Sequence, residues 1–377
     1  MRIMHLNRAA LMFYKFMIPV IEAQKKGGHY VCICTADEPE VEQLRNRGID
    51  VFTHGLKRSL TPLNILKAIL RTRRILVDQQ IDVLICHSPF GAGVGRLAAR
   101  LAKTRRVVYF AHGLPCAPAQ YPLIWLLWFG IEKFLALFTD AILVMNNYDE
   151  NLAIKHLVKN QGRVFRISGV GVDLTKFNPT GTERDKRQIY EELNTSADRK
   201  MVLCTALLKP TKGIFVYLEA AEQICARRSD VCFLLAGRGP SMDKLRKIVE
   251  KNHLEDCFKL LGWRNDIARL LRAADIFVLP SYYFEGLPVS ILEAMACAKP
   301  IVSTRHRGCE DAVVDKKTGF LVPVKQAAPL AERISILLDN PQLRSDMGQA
   351  GREHVEQHFE LDHCTREIVN ALEMASQ

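Results

Sequence analysis

The chain has 377 residues, which exceeds the usual size of a single hydrophobic core and predicts two domains. Hydrophobic residues make up 48% and charged residues 25% of the chain, and these ordinary values exclude a disordered or fibrous protein. The 52 Lys and Arg exceed the 41 Asp and Glu, so the formal net charge is +11 and an anionic partner is expected.

The cysteines and the N-terminus indicate a protein of a reducing compartment. The eleven Cys are scattered, many within apolar runs, and the sequence has no Cys-x-x-Cys pair. We interpret them as buried thiols and not as zinc ligands or disulfides. The first eight residues lack the apolar core of a signal peptide and are typical of a first β-strand. The sequence therefore favours a cytoplasmic location.

Short apolar runs that predict β-strands alternate with segments of helical length. A first series comprises residues 2–6, 30–34, 81–86, 107–111, 141–145 and 164–168, and a second comprises 201–206, 231–236, 258–261, 275–279, 300–303 and 319–322. Alternating strands and helices predict parallel doubly wound sheets, so the fold class is α/β with two Rossmann-like domains. We place the boundary between them at residue 175.

Two turns in the first domain could approach phosphates. Asn7-Arg8-Ala9-Ala10 follows the first strand, but it has alanines where a phosphate-binding loop has glycines. Gly91, Gly93 and Gly95 form a second turn, for which close packing of a helix on a strand is the better explanation. Neither turn is a dinucleotide fingerprint.

Residues 57 to 106 contain a basic tract. It has two acidic residues, Asp78 and Asp82, against eleven basic ones: Lys57, Arg58, Lys67, Arg71, Arg73, Arg74, Arg96, Arg100, Lys103, Arg105 and Arg106. Such a field suits nucleic acid, anionic lipid or a phosphorylated substrate, while a solvated surface without a partner is the alternative.

An aromatic-rich segment follows. It extends from Tyr121 to Phe138 and contains Trp125, Trp128, Phe129 and Phe134, but Glu132 and Lys133 interrupt it, which argues against a membrane-spanning helix. Core packing and burial of a Trp-rich face at a membrane surface both stay open.

His112 lies at the carboxyl end of the strand predicted at 107–111, where doubly wound folds place ligand-binding groups. A structural role is the alternative for a single histidine at a strand end.

The most informative stretch extends from Phe284 to Ala294. It follows the buried strand predicted at 275–279 and brings Gly286 and Pro288 together at the start of a helix. Pro288 suits the first helical position because its φ is fixed and its missing N–H is no loss there. A loop with glycine at a helix N-terminus can bind an anion through free backbone N–H groups. Glu285 and Glu293 flank this point and could bind sugar hydroxyls.

This stretch, Glu-Gly-Leu-Pro-x-Ser-x-Leu-Glu-Ala-Met-Ala, resembles the Glu-x7-Glu signature of the retaining glycosyltransferases of family 4, which have the GT-B fold. Lys212-Gly213, the turn Gly237-Arg238-Gly239-Pro240 and the segment Gly171-Val172-Asp173 resemble further motifs of that family. The resemblance implies two Rossmann-like domains that face each other across a cleft. Residues 1–175 would bind the acceptor and 176–360 the nucleotide-sugar, and a helix over 361–377 would cross back to the first domain.

The resemblance also implies roles for individual residues. His112 and Glu285 would position the donor sugar, while Lys212 and the helix N-terminus at Gly286 and Leu287 would stabilise the departing diphosphate. Further substrate contacts would come from Glu293 at the ribose, from Gly237, from Arg264 near the nucleobase, and from Lys209. The family commonly has Arg where this chain has Leu207, and Lys209 is the candidate to replace it.

The expected reaction is glycosyl transfer with retention, by front-face attack in which the donor phosphate accepts the acceptor's proton. No Asp-x-Asp occurs, so we expect neither a metal nor another cofactor. The expected donor is a UDP-sugar, with UDP-GalNAc as first candidate. The expected acceptor is a polyprenyl-diphosphate-linked saccharide used in bacterial surface or protein-glycan assembly, such as O-antigen.

Such an acceptor places the enzyme at an anionic membrane surface, peripherally on the inner face of the cytoplasmic membrane. A soluble acceptor and a GT-B-fold UDP-sugar epimerase are alternatives. A nucleic-acid-binding protein would explain the charge but not the pair of glutamates, and we expect no nucleic-acid partner.

Overall fold

The structure is a computed structural model, and it describes residues 1–56, 61–116, 122–158, 161–283 and 285–376. Those residues form two compact units. The first comprises Met1–Val170 and the segment from Asp362 onward, and the second comprises Gly171–Leu361. Each unit is built on one parallel sheet, of seven strands in the first and six in the second. The prediction of two Rossmann-like domains is therefore confirmed.

The sheet of the first unit has the strand order β3-β2-β1-β4-β5-β6-β7. Its strands are β1 (Arg2–Leu6), β2 (Tyr30–Thr35), β3 (Asp50–Thr53), β4 (Val83–His87), β5 (Arg106–Phe110), β6 (Ala141–Val144) and β7 (Val164–Arg166). The chain adds β2 and β3 on one side of β1 and then returns to add β4 on the other. The order thus reverses between β1 and β4, where doubly wound folds open a crevice at the carboxyl ends of the strands.

Helices connect these strands. They are α1 (Ala10–Met12), a π-helical turn (Phe13–Met17), α2 (Ile18–Lys26), α3 (Glu40–Arg45), α4 (Pro62–Asp78), α5 (Pro89–Ala102), α6 (Pro122–Ala136) and α7 (Asn147–His156). The apolar faces of α4, α5 and α7 pack on the sheet in one core, together with Met4, Leu84 and Ile142 of the strands. Gly91 and Gly95 of α5 fit closely, because a Cβ would lie 2.9 Å from the Arg8 nitrogen at the first and 2.5 Å from the Cys86 sulfur at the second. The prediction of close packing is confirmed at these two glycines.

The aromatic-rich helix α6 is held by a buried ion pair. Arg96 of α5 and Glu132 of α6 are 0% and 1% exposed at their side chains, and Nη2 of the arginine donates to Oε2 of the glutamate over 2.9 Å. The Arg96 guanidinium also lies 4.3 Å from the centre of the Tyr109 ring. Burial raises the pKa of Glu132, and the arginine opposes that shift. Glu132 therefore attaches α6 to the core.

The ion pair decides which face of α6 is exposed. Trp128 and Phe129 pack against the core, and Trp125 Nε1 donates to the Cys116 carbonyl over 3.0 Å. Among the described side chains of this segment, the large hydrophobic ones that are exposed are Leu126, Leu127, Ile131, Phe134 and Leu137. Core packing is therefore correct for Trp128 and Phe129, while aliphatic residues and Phe134 face outward. Tyr121 lies outside the described residues.

The sheet of the second unit has the strand order β10-β9-β8-β11-β12-β13. Its strands are β8 (Lys200–Thr205), β9 (Val231–Ala236), β10 (Phe258–Gly262), β11 (Ile276–Leu279), β12 (Ile301–Thr304) and β13 (Gly319–Val322). Here the order reverses between β8 and β11. Strands β9, β11 and β12 are buried along their whole length, as expected for a parallel sheet covered on both faces.

The helices of the second unit are α8 (Thr182–Glu192), α9 (Ile214–Cys225), α10 (Met242–Lys251), α11 (Ile267–Ala273), α12 (Val289–Ala296), α13 (Arg307–Ala312), α14 (Ala327–Asp339) and α15 (Pro341–His358). The last helix of the chain, α16 (Leu361–Ser376), belongs largely to the first unit. There the Ser168 amide donates to the Glu367 carboxylate over 2.8 Å.

One strand among the described residues was not predicted. The missed strand is β3, which has four residues, begins with an exposed Asp50 and lies at the sheet edge. Such a short edge strand lacks the buried apolar run by which the other strands were recognised. Within the part of the chain that the structure describes, no helix is long and apolar enough to cross a bilayer.

Candidate active site

The second unit brings Lys212 and Glu285 together where its strand order reverses. Lys212 follows β8 and Glu285 follows β11, and these two strands are neighbours in the sheet. Parallel strands end at the same edge, so the loops after them meet there. Two sequence motifs that lie 73 residues apart in the chain therefore form one site.

Hydrogen bonds and a glycine join these two loops. The Thr211 carbonyl accepts from the Tyr282 amide over 3.1 Å and from the Ser281 hydroxyl over 3.3 Å. Gly213 has a φ of +71°, and a Cβ there would lie 1.9 Å from the Pro280 carbonyl oxygen. Glycine is thus required both for the left-handed backbone and for the close approach. The contact fixes where Lys212 points.

Lys212 and Glu285 form an ion pair. Nζ of the lysine donates to Oε1 of the glutamate over 2.5 Å, and the side chains are 25% and 8% exposed. An ammonium has three N–H donors, so the pair leaves it able to bind an anion as well. The arrangement holds one cationic donor and one acceptor at the same edge of the sheet, which suits a ligand with both phosphate and hydroxyl groups.

The loop before α12 lies beside this pair. The Gly286 carbonyl packs tightly on Gly308, where a Cβ would come within 1.8 Å of it. Leu287 is buried, and Pro288 is the N-cap of α12 with extended backbone, so the helix begins one residue later than predicted. Glu293 lies in the second turn of α12 and is partly exposed. Phe284, the first residue of the predicted stretch, lies outside the described residues.

Gly237 and Lys209 lie at the ends of β9 and β8. Gly237 has a φ of +155°, and a Cβ there would lie 1.9 Å from the Ala206 carbonyl oxygen, so the loops after the two strands pack through this glycine. Lys209 is exposed, as is Leu207 at the position where the family commonly has Arg. The substrate-binding roles of Gly237 and Lys209 stay predictions.

Arg264 is held by carboxylates. Its Nε and Nη2 donate to the two Asp266 oxygens over 2.8 and 2.7 Å, and Nη1 pairs with Glu192 of α8. Hydrogen bonds from Arg264 lower the pKa of Asp266 to about 2. The network joins the loop after β10 to α8, and the predicted nucleobase contact of Arg264 stays a prediction.

The sequence analysis missed His306 and Arg307 as members of the site. Both follow β12, the neighbour of β11, and Arg307 is 6% exposed. Burial is the main reason that the pKa of His306 is lowered to about 4; Arg307 and Lys212 act in the same direction, and Glu285 opposes them. The loop after β12 lies beside the loop that holds Glu285, because a Cβ on Gly308 would come within 1.8 Å of the Gly286 carbonyl oxygen. The strand prediction at 300–303 could have found them, because polar residues just after a strand of a doubly wound sheet lie at the ligand edge.

In the first unit, His112 follows β5 as predicted. His112 as a residue is partly exposed; its ring stacks on Phe110 at 4.6 Å between ring centres, and its Nε2 lies 2.9 Å from Nδ1 of His87. The loop that holds it is fixed by the Leu114 amide, which donates to the buried Asp149 carboxylate over 3.0 Å. Burial lowers the pKa of His112 to about 4, so this ring is neutral at pH 7.

The predicted turn after β1 lies at the same edge of this sheet. Asn7 Nδ2 donates to the Ala9 carbonyl over 3.0 Å, and α1 begins at Ala10. The Ser88 hydroxyl donates to Asn7 Oδ1, so the turn after β1 is bound to the turn after β4. A ligand role for this turn stays a prediction.

Comparison with known proteins gives two family matches. The model described as "Glycosyltransferase Family 4" matches residues 17–175, and the one described as "Glycosyl transferases group 1" matches residues 185–354. Together they cover most of both units.

Two relatives align with most of the chain. The N,N'-diacetylbacillosaminyl-diphospho-undecaprenol alpha-1,3-N-acetylgalactosaminyltransferase of Campylobacter jejuni is 29% identical over 96% of this chain and 95% of its own. The UDP-Gal:alpha-D-GlcNAc-diphosphoundecaprenol alpha-1,3-galactosyltransferase of Escherichia coli is 29% identical over 77% of this chain and 75% of its own.

Solved structures share the fold. Anabaena HepE, crystallised with UDP and glucose, superposes with a TM-score of 0.83 at 20% identity, over 99% of both chains. Sucrose-phosphate synthase from Thermosynechococcus elongatus also gives a TM-score of 0.83 at 20% identity, over 99% of this chain and 98% of that one. At this identity the likeness concerns the fold.

Proposed function

Because the chain belongs to the glycosyltransferases of family 4, with the GT-B fold, we propose that it transfers one sugar from a UDP-sugar to a polyprenyl-diphosphate-linked saccharide. The observation that supports this most is the pair of relatives from Campylobacter jejuni and Escherichia coli. Both are named as transferases acting on diphospho-undecaprenol-linked sugars, one adding GalNAc and the other galactose. UDP-GalNAc is the first candidate donor, since the relative with the wider coverage transfers that sugar.

The proposed reaction retains the configuration of the donor sugar. The acceptor hydroxyl forms a bond to the anomeric carbon on the face from which UDP departs, and its proton passes to an oxygen of the donor diphosphate. As the bond between the anomeric carbon and the diphosphate breaks, negative charge develops on the diphosphate until it takes up this proton. Groups that meet this charge only as it develops lower the barrier most.

The proposed residue roles follow from that charge. Lys212 stabilises the departing diphosphate with the N–H groups it does not use on Glu285, together with the backbone at Gly286 and Leu287. Glu285 accepts hydrogen bonds from the donor sugar, and Glu293 accepts them from the ribose. His112 contacts the donor sugar. We propose that no metal takes part, because Lys212 and the helix N-terminus supply the positive charge.

We also propose that the first unit binds an anionic membrane surface, where a polyprenyl acceptor resides, so that the protein acts peripherally at the inner face of the cytoplasmic membrane. Helix α4 supports this, because it exposes Leu63, Leu66 and Leu70 next to a group of basic residues: Lys67, Arg71, Arg73 and Arg74. Exposed apolar and basic side chains on one helix are typical of helices that lie in a membrane interface. Lys57 and Arg58 of the basic tract lie outside the described residues.

The proposal is tested by incubating the purified protein with a panel of UDP- and GDP-sugars and a short-chain polyprenyl-diphosphate saccharide, and measuring product mass. We expect the lipid-linked saccharide to gain one hexose or N-acetylhexosamine from a UDP-sugar. Conversion of the UDP-sugar without any acceptor would instead identify an epimerase. Transfer to soluble saccharides alone would contradict the lipid-linked acceptor.

A further inference from the structure

Three histidines and a glutamine form a continuous hydrogen-bonded line through the first unit. Gln24 Oε1 lies 2.8 Å from His5 Nε2, His5 Nδ1 lies 3.0 Å from His87 Nε2, and His87 Nδ1 lies 2.9 Å from His112 Nε2. The line starts on α2, crosses from β1 to β4 where the strand order reverses, and ends at the loop after β5. It thus connects the interior of the unit with a predicted site residue.

The line is enclosed by protein. Gln24 is 3% exposed, and His5 and His87 are 0% exposed. The rings of His5 and His87 are nearly parallel, with 18° between their planes and 5.2 Å between their centres, and the Phe13 ring of the π-helical turn meets His87 edge-on at 5.5 Å. Burial lowers the pKa of His5 to about 4 and that of His87 well below its usual range. Both rings are therefore neutral at pH 7, as is His112.

Because all three rings are neutral, the donor and acceptor in one hydrogen bond of the line determine those in the next. A neutral imidazole has one N–H donor and one acceptor nitrogen, so each ring that donates on one side must accept on the other. With Gln24 Oε1 accepting from His5 Nε2–H, His5 Nδ1 accepts from His87 Nε2–H. His87 Nδ1 then accepts from His112 Nε2–H. The proton of His112 is thereby placed on Nε2, and Nδ1 is left as an acceptor.

We propose that His5 and His87 are positioning residues that hold His112 in its Nε2–H tautomer, so that His112 Nδ1 accepts a hydrogen bond from a hydroxyl of the donor sugar. This rests on the proposed function in one respect, the contact between His112 and the sugar. The outer ring has a defined acceptor nitrogen because the two buried inner rings pass on the orientation set at Gln24. A second hydrogen bond that fixes the tautomer of a functional histidine is a general device of enzyme sites.

The test is a pair of measurements on the full chain. Long-range proton–nitrogen correlation spectra of the ¹⁵N-labelled protein distinguish the two imidazole tautomers, and the signals missing in His112→Gln assign His112. We expect a protonated Nε2 and an unprotonated Nδ1 in the ligand-free wild type. A protonated Nδ1 on His112 would overturn the proposal whatever substrate the enzyme uses.

Variants then separate positioning from packing. His87→Phe removes the acceptor and should give a His112 signal averaged over both tautomers, with kcat/KM for the UDP-sugar reduced about tenfold, as for one lost hydrogen bond. His87→Asn keeps an acceptor oxygen near the place of Nδ1 and should restore the single tautomer and most of the activity. His54→Phe, at a buried histidine outside the line, should leave the His112 tautomer unchanged.

If His87→Phe fails to fold, Gln24→Leu removes the other end of the line. His112 should then also show a signal averaged over both tautomers. A single Nε2–H tautomer in both His87→Phe and Gln24→Leu would contradict the positioning role. A wild type that shows the expected tautomer but transfers no sugar would overturn the proposed function and leave the assignment of the line supported.

Discussion

Lys212 illustrates how much of a residue's role depends on its partner. The Lys-Gly motif places a cation after the first strand of the second unit, and the pairing with Glu285 then fixes the position of that cation. In the free protein the carboxylate of Glu285 balances the charge of Lys212, so this pair carries no net charge before a ligand binds. In the proposed reaction the lysine would strengthen its contact with the diphosphate as charge develops on the leaving group, which is the condition for lowering the barrier.

Replacement of Lys212 by Met should therefore lower kcat about 10²–10³-fold, the usual loss when one charged group is removed from a transition-state site. Steady-state assays with the UDP-sugar measure this. Lys247→Met is the matched control, because Lys247 is exposed on α10 away from the ion pair, and it should keep wild-type kinetics. Wild-type turnover in a folded Lys212→Met protein would remove Lys212 from the site.

Gly213 gives a second prediction, on stability. Gly213→Ala forces a Cβ to within 1.9 Å of a backbone oxygen at a φ of +71°, whereas Gly262, at +66°, has open space for a Cβ. Gly262→Ala should cost about 1 kcal/mol of unfolding free energy from backbone strain, and Gly213→Ala about 3 kcal/mol because steric overlap is added. Urea denaturation measures the loss of unfolding free energy in each variant. Equal losses would show that the loops after β8 and β11 can move apart to admit the Cβ at residue 213.

At this scale the sequence identified its candidate site residues for identifiable reasons, and their roles stay predictions. Lys212, Glu285 and Glu293 were recognised by spacing and neighbours, and His112 by its place at a strand end. His306 and Arg307 were missed, because their importance comes from the adjacency of β11 and β12 in the sheet. The histidine line could not be predicted for the same reason, because the sequence does not show which strands are neighbours and therefore that residues 5, 87 and 112 are in contact.

Among the elements, helix α6 shows what a sequence pattern does not determine. The apolar and aromatic composition of α6 is evident from the sequence, but the face it exposes depends on the buried ion pair between Arg96 and Glu132. Glu132 interrupts an apolar run, yet it is one of the more buried residues of the helix. A charged residue within such a run is informative about orientation only once its partner is known.

The exposed face of α4 carries the element-scale prediction. Charge reversal at Arg71, Arg73 and Arg74 should weaken sedimentation with anionic vesicles at low salt, since each basic residue near an anionic leaflet contributes about 1 kcal/mol. Added salt should weaken the wild-type interaction as well. The matched control reverses Arg246, Lys247 and Lys251, which are exposed on α10 of the second unit. Equal loss in both triple variants, or no binding by the wild type, would contradict a membrane surface on α4.

For the whole molecule, buried histidines predict how stability depends on pH. Burial lowers the pKa of His5, His112 and His306 to about 4, below the usual 6.5. Between these values the unfolded chain binds protons that the folded chain does not, so the free energy of unfolding should decrease as pH falls from about 6.5 towards 4. Each such histidine contributes a slope of up to about 1.4 kcal/mol per pH unit.

Urea unfolding at a series of pH values tests this. The variant His306→Gln lacks one of these groups and should show a slope smaller by about one proton. A free energy of unfolding that stays constant between pH 7 and 5, or an unchanged slope in His306→Gln, would contradict the neutral, buried state of these rings.

The two-sheet architecture was predictable because parallel strands in doubly wound folds are buried apolar runs that recur with regular spacing. The edge strand β3 was not, since it lacks such a run. The strand order, and hence the two points where it reverses, could be expected from the family resemblance but not from periodicity. The Lys212–Glu285 pair and the histidine line both lie at those points. The geometry of the candidate site therefore depends on the strand order, which periodicity in the sequence does not specify.

The most direct test of the central claim is to determine the linkage of the product formed from UDP-GalNAc and a short-chain polyprenyl-diphosphate saccharide in excess EDTA. The proposed function predicts a lipid-linked product that is heavier by one N-acetylhexosamine, with its new linkage α-configured as in the donor when observed by NMR. A β-linked product would contradict retention, and activity that requires added Mg²⁺ or Mn²⁺ would contradict the metal-free site. If no UDP-sugar glycosylates the lipid-linked acceptor under any condition, the proposed function is wrong.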